Sequence, residues 1–373
     1  MFIDKYGYWQ CNNIKFDDKY QVLVYATQKK LPITFHYHDA LFKNFDRSLL
    51  GKIPLKTLYK DRAQQLRDKY DYLILYYSGG ADSHNILRSF VDNNIKLDEI
   101  CVKWPKPLID GKFYTANTLD KTGKNYWSEW DYAVKPSLDW VSKTYPDIKI
   151  VIKDYVDTNL DLTSSFDNLK NHGMRAGILL NSQVSDSERI MLDQGKTVAN
   201  IYGSEKPRLG WDGKHTGFHF TDLCMVPVVR SIINPTGAEQ FYWTPDMPMI
   251  AIEQAYQMSL FYKVNKHLRQ WMYRKEYPPS NERGLMQQLL AKNVIYDNWD
   301  NRFQADKPAS AARLDKFAWF MESPELAKAK DIFMDNVIQR TKLISSEFLV
   351  GDEIVPSYKN FSTIPHYLET YDD

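Results

Sequence analysis

Between residues 71 and 202 the chain alternates strand-length apolar runs with helical stripes, and this alternation limits the fold more than any other feature. Residues 72–77 are one unbroken apolar run, and residues 83–93 place Ile86, Leu87, Phe90 and Val91 on one helical face. Residues 99–104 predict a second strand, 127–145 a helix interrupted at Pro136, and 149–153 a third strand. Two short helices then precede a fourth strand over 198–202. Strands without polar alternation, separated by helices, point to a parallel sheet covered on both faces.

The flanks follow other patterns. The first seventy residues are mixed and aromatic, with strand-like pieces at 21–25 and 33–37. They end in a predicted helix over 56–69, with Leu55, Leu58, Tyr59, Arg62, Ala63, Leu66 and Tyr70 on one stripe. After Gly203 a loop rich in Gly, Pro and Trp is expected to run to about residue 222. Helices dominate beyond it, one after Asp246 and another after Ser323-Pro324, an N-cap followed by Pro at the first helical position. The expected architecture is a doubly wound α/β sheet followed by a mainly helical C-terminal domain. Its parts are a mixed α/β segment over 1–55, the wound sheet over 56–230 and the helices over 231–373.

Composition narrows the function classes. The chain carries 48 basic and 47 acidic residues, a formal net charge of +1, so neither a nucleic-acid coat nor an acidic tail is indicated. The longest apolar runs, 73–77 and 223–229, fall far short of the ~20 residues that span a bilayer. Cys11, Cys101 and Cys224 form no C-x-x-C pair, which argues against a cysteine-only zinc site and a dithiol redox centre. Unpatterned thiols and an N-terminus without a basic, apolar leader lead to the expectation of a cytoplasmic protein with no membrane partner.

The chemistry concentrates at the end of the first core strand, in Ser78-Gly79-Gly80-Ala81-Asp82-Ser83. Adjacent glycines let the backbone turn sharply and approach an anion without a Cβ in the way. The following helix offers N–H groups and the positive end of its dipole, and the serine hydroxyls can donate to phosphate oxygens. A carboxylate at Asp82 beside a phosphate needs a cation between them, which points to Mg²⁺. Neither standard nucleotide loop is present: Gly195-Lys196-Thr197 has Ile190 where a Walker A loop needs its first glycine, and no G-x-G-x-x-G follows a strand. A second cluster, Tyr202-Gly203-Ser204-Glu205-Lys206-Pro207-Arg208, follows the fourth strand. In a sheet ordered third, second, first, fourth, this loop faces the first across the crevice where winding reverses. Gly203 then gives room, Glu205 can bind Mg²⁺ or an incoming amine, and Lys206 and Arg208 can grip phosphate. His36-x-His38 is expected to pack ordinarily, and His215-x-x-x-His219 is expected in the Gly-rich loop.

Strand, SGGxDS and helix in this order resemble the PP-loop of the ATP pyrophosphatases, which include asparagine synthetase, GMP and NAD synthetases, tRNA-lysidine synthetase and tRNA thiolases. The resemblance implies an adenine-nucleotide α-hydrolase-like (HUP) fold that cleaves ATP between the α and β phosphates. It puts Ser78, Gly79, Gly80, Asp82 and Ser83 on the pyrophosphate and its Mg²⁺. The segment 203–208 is similar to the Ser-Gly-Glu segment of the synthetase domain of asparagine synthetase. The helix over 56–69 is similar to the element before that family's motif, and 298–308 to its C-terminal helical segment. Glutamine-dependent members carry a catalytic Cys where this chain has Phe2, and seventy residues are too few for a glutaminase domain.

The resulting expectation is an ATP-dependent, AMP-forming ligase or amidotransferase-like enzyme. ATP and Mg²⁺ are its cofactors, and Asp82, Glu205, Lys206 and Arg208 its catalytic residues. The acceptor is a small molecule or a nucleic acid, and nitrogen comes from free ammonia, a partner protein or the acceptor's own amine. A homo-oligomer is also among the expected assemblies. Two other readings stay open. One is a base-modifying enzyme of the lysidine-synthetase kind, using Arg269, Arg274 and Lys275 as a basic patch. The other is a non-catalytic nucleotide-binding protein that kept the loop, against which the Asp82 carboxylate counts.

Overall fold

Asp18 caps the first helix of the computed structural model by accepting the Gln21 N–H at 3.0 Å, and the helix runs Lys19–Lys29 (α1) before ending on Lys30 at φ 54°. The structure describes residues 7–104, 130–153, 186–203, 206–211, 215–222, 237–265, 267–268, 270, 290–296, 324, 327–350 and 357–370. Around α1, Tyr8–Cys11 (β1), Ile14–Phe16 (β2) and Thr34–His36 (β3) make an antiparallel sheet ordered β2-β1-β3, and Asp39–Lys43 (α2) follows. The strand expected at 21–25 lies inside α1. Its β-branched residues suggested a strand, but the Asp18 cap and the helical spacing of buried Val22, Leu23 and Ala26 prevail.

The next elements build the centre. Leu55–Lys69 (α3) leads into Tyr72–Tyr76 (β4), Ala81–Val91 (α4) and Glu99–Lys103 (β5). A π-helical turn, Trp130–Val134, runs into Lys135–Thr144 (α5), which accommodates Pro136 in its first turn, and Lys149–Lys153 (β6) follows. Then come Asp186–Asp193 (α6), Val198–Tyr202 (β7), Arg208–Trp211 (β8), His215–His219 (β9) and Ala238–Gln240 (β10). Met249–Val264 (α7), Ala327–Thr341 (α8), Leu349–Val350 (β11), Ser357–Tyr358 (β12) and His366–Thr370 (β13) complete the order. Among the described residues no helix is long and apolar enough to cross a membrane.

Five strands form one all-parallel sheet, β10-β7-β4-β5-β6, so the third, second, first, fourth order is present with β10 added. Both faces are covered. Leu73, Leu75, Ile100, Val102, Ala199 and Ile201 enter the main core with α3 and α4, while Ile74, Cys101 and Val198 pack against Met191 and Leu192 of α6. β10 lies past residue 230, so the segment expected to be mainly helical supplies a strand of the central sheet as well. Its Glu239 is buried and accepts Arg62 Nη2 at 2.8 Å, Tyr70 OH at 2.6 Å and Lys69 Nζ at 2.9 Å. Arg62, fully buried in the stripe of α3, thereby fixes that helix to the sheet edge.

The segment expected as a loop to residue 222 is instead a β-hairpin, β8 and β9, extended by β13 into the order β13-β9-β8. Gly210 pairs with Gly217, where a Cβ would lie 3.0 Å from the His366 carbonyl oxygen, so the glycines mark close strand approach. His215 and His219 therefore stand about 13 Å apart along one strand and cannot share a metal ion. Asp222, just after the hairpin, accepts Trp9 Nε1 at 2.8 Å, Lys19 Nζ at 2.7 Å and the Phe361 N–H at 3.0 Å.

Two buried histidines make this region acid-sensitive. Burial, with Arg208 and His366 nearby, pushes His219 down to about 3, and burial pushes His366 down to about 4 against the pull of Asp39. An unfolded histidine titrates near 6.5, so below that pH the unfolded chain binds more protons and stability falls towards the folded values. Urea unfolding should therefore lose about 2 kcal/mol per histidine between pH 7 and 5, at about 1.4 kcal/mol per pH unit below 6.5. His366 packs against Phe42, Phe218 and Phe220, so His366→Phe should fold and remove its share of that slope.

Candidate functional site

Winding reverses between β4 and β7, because β5 and β6 continue to one side and β10 to the other. Ligands of wound sheets bind outside the carboxyl ends of the strands at this point. The loop from β4 to α4 stands there. Gly79 has φ +73°, and a Cβ on it would lie 2.8 Å from Val134 Cγ2 and 3.1 Å from the Val134 nitrogen. Both its backbone conformation and its packing on the π-helical turn thus demand glycine. The serines close the loop on itself: Ser78 N–H donates to Ser83 Oγ at 3.2 Å, Ser83 Oγ to the Gly80 carbonyl at 3.1 Å, and Gly80 N–H to Ser78 Oγ at 3.3 Å. The helix starts at Ala81, earlier than the sequence pattern indicates, which brings Asp82 into its first turn. N–H groups there have no intrahelical partner and lie at the positive end of the dipole.

The loop after β7 meets this turn. A Cβ on Gly203 would lie 3.0 Å from Ile86 Cδ1, 3.2 Å from the Asp82 carbonyl carbon and 3.2 Å from the Ser83 nitrogen. Three residues on, Lys206 Nζ lies 2.7 Å from Asp82 Oδ1. The two clusters singled out in the sequence are therefore joined by an ion pair, with the lysine 11% and the aspartate 28% exposed.

Two tyrosines complete the arrangement. Tyr296 donates its hydroxyl to Asp82 Oδ1, and Tyr242 OH donates to the Asp82 main-chain carbonyl at 2.8 Å while accepting from Asn85 Nδ2 at 3.0 Å. Tyr59 holds the segment carrying Tyr296, donating to the Ile295 carbonyl at 2.8 Å and accepting from Gln254 Nε2 at 3.0 Å. Burial and the charge of Asp82 push both Tyr242 and Tyr296 well above the usual phenol range, so both remain proton donors at neutral pH. Among the described residues no group holds Asp82 Oδ2.

Ser78, Gly79, Gly80, Asp82, Ser83, Gly203 and Lys206 are thus brought together. Arg208 stands in β8 opposite His219 and helps to hold that imidazole below its usual range. Glu205 lies outside the described residues, as do 298–308 and the basic patch of Arg269, Arg274 and Lys275. Cys101 is buried, and burial pushes its thiol up to about 12, as suits an inert core position. His36 Nδ1 donates to Asp39 Oδ2 at 2.6 Å and the ring stacks on Tyr8, a packing role. The sequence patterns single out neither Tyr296 nor Tyr242 as a site residue. Nothing local marks these two among 25 tyrosines.

The donor set fits a magnesium–nucleotide pair. Among the described residues no three His, Cys, Asp or Glu side chains gather to hold a metal alone. Mg²⁺ at nucleotide sites takes one or two carboxylates and completes its shell with phosphate oxygens and water, and Asp82 Oδ2 supplies such a carboxylate oxygen. No protein-family model and no curated protein matches the sequence.

The loop geometry yields a stability test. Gly79→Ala should cost about 1–2 kcal/mol for the left-handed backbone alone, and more for the contact with Val134. Gly195 has the same φ of +73° with nothing within 4 Å of an added Cβ, so Gly195→Ala should show only the backbone part. Urea denaturation of the two variants separates the terms, and equal losses would show that the packing of Gly79 is inconsequential.

Proposed function

We propose that the chain is an ATP-dependent, AMP-forming ligase or amidotransferase-like enzyme of the PP-loop kind, with the HUP arrangement of its wound sheet. The observation that carries this reading is the pairing of Lys206 with Asp82 at the switch point, directly beside the Gly79-Gly80 turn. A cation, a carboxylate, a glycine turn and a helix N-terminus together form the environment that a polyphosphate leaving group requires.

In this reading the loop amides and the first turn of α4 bind the β and γ phosphates, and Ser78 and Ser83 donate to their oxygens. Asp82 Oδ2 would hold Mg²⁺, which when bound neutralises phosphate charge. An acceptor oxygen (carboxylate, amide or base carbonyl) attacks the α phosphorus, the bond to the bridging oxygen breaks, and pyrophosphate leaves. Lys206 offsets the charge that develops on the leaving group, with Glu205 and, from the start of β8, Arg208 as further contributors. An amine or ammonia then displaces AMP from the adenylate. The protein's share is positioning and fixed charge. Ammonia supply by a partner, a homo-oligomer and a cytoplasmic setting belong to the same proposal.

Turnover of ATP with Mg²⁺ and a pool of candidate acceptors should release AMP and pyrophosphate. Release of ADP and orthophosphate would overturn the reading. Asp82→Asn should leave the fold unchanged and reduce pyrophosphate release by roughly 10²–10³, the scale of one lost transition-state contact, and Ser78→Ala should cost less. Full activity of Asp82→Asn at saturating Mg²⁺ would remove the metal role of Asp82, and nucleotide binding without any turnover would favour the non-catalytic alternative. Retention of tRNA on filters, weakening steeply with salt, would favour the base-modifying alternative.

A further inference from the structure

We infer that Lys206 is an exchangeable counter-ion of Asp82, blocking a divalent cation until a nucleotide's phosphates draw the lysine away. The inference rests on the nucleotide reading of the site. Three side chains fix Asp82, and they differ in kind. Tyr296 is buried and anchored through Tyr59 and the Ile295 carbonyl, and Tyr242 is buried and anchored through Asn85. Both stay neutral donors. Lys206 instead reaches Asp82 Oδ1 from a loop on a flexible four-carbon stem, with its ammonium 5.9 Å from the centre of the Tyr296 ring. Of the three donors, it is the one that can leave without unpacking the core.

The charges make the exchange necessary. Lys206 and Tyr296 both occupy Oδ1, which leaves Oδ2 as the oxygen on offer to a metal. A divalent cation on Oδ2 would then stand a few ångströms from the ammonium, and the repulsion opposes binding even with water-like screening. A polyphosphate removes the conflict by giving the ammonium another anionic partner. Metal and nucleotide therefore favour each other's binding through one lysine, and the coupling is reciprocal. Without nucleotide the ion pair keeps the carboxylate neutralised and the metal out.

The test uses the full chain and Mn²⁺ as probe, with free Mn²⁺ read by electron paramagnetic resonance in the absence of nucleotide. Lys206→Met should bind Mn²⁺ about tenfold or more tightly than the unaltered chain, and Lys206→Arg should bind like the unaltered chain. The gain should vanish in the Asp82→Asn, Lys206→Met double variant, which localises it to this carboxylate. A non-hydrolysable ATP analogue should tighten Mn²⁺ binding strongly in the unaltered chain and less in Lys206→Met. Equal or weaker Mn²⁺ binding by Lys206→Met, including no binding by either protein, overturns the inference. Formation of AMP and pyrophosphate is read separately. Product without the Mn²⁺ ordering removes the exchange and keeps the enzyme, whereas the Mn²⁺ ordering without product keeps the exchange and removes the enzyme.

Discussion

The strand β4 is hydrogen-bonded on both edges and packed on both faces, and the remaining parts take their places around it. A strand in that position cannot offer a wet face, so helices must cover both sides and each crossover must return the chain to the same end of the sheet. Every loop that follows a strand then opens at the carboxyl edge. The Ser78–Ser83 turn and the Gly203 loop meet because β4 and β7 are neighbours, and small residues permit the contact.

The edge beyond β7 is secured by charge. Arg62 is fully buried, and burial of an ion costs more than most single contacts return. It is tolerated because Glu239 and the Gln240 carbonyl accept from it, while Tyr70 and Lys69 satisfy the rest of the same carboxylate. Losing Glu239 would strip the buried Arg62 of its close carboxylate, whereas losing Arg62 would leave Glu239 to Lys69 and Tyr70 alone. The pair is better understood as fixing where α3 meets β10 than as a source of stability. Two residues after β10 comes Tyr242, so the same docking carries a hydroxyl to the Asp82 main chain.

Residues early and late in the chain brace the hairpin that follows Lys206. β13 from the C-terminal segment extends the hairpin that starts at Arg208, and Asp222 joins Trp9 and Lys19 of the N-terminal unit to the Phe361 backbone. N- and C-terminal residues thus meet at the hairpin that follows the wound sheet's fourth strand.

Strands 149–153 and 198–202 were legible in the sequence, with the bounds the structure shows, because short segments rich in Val and Ile favour extended backbone locally. The SGGADS turn was legible for a similar reason, since glycine freedom and a helix start are local properties. Other features depend on distant partners. Residues 21–25 favour a strand by propensity, and the Asp18 cap and the surface beneath α1 make them helical. β10, with the sequence Ala-Glu-Gln, looks polar until Arg62, 177 residues earlier, neutralises its glutamate. Tyr296 reaches Asp82 across 214 residues of sequence, and Lys206 reaches it across the crevice from the far side of β7. The local sequence decided the central strands and the glycine turn. The tertiary structure alone decided which buried polar groups meet, because a hydrogen-bond partner is chosen by proximity in space and leaves no periodic trace along the chain.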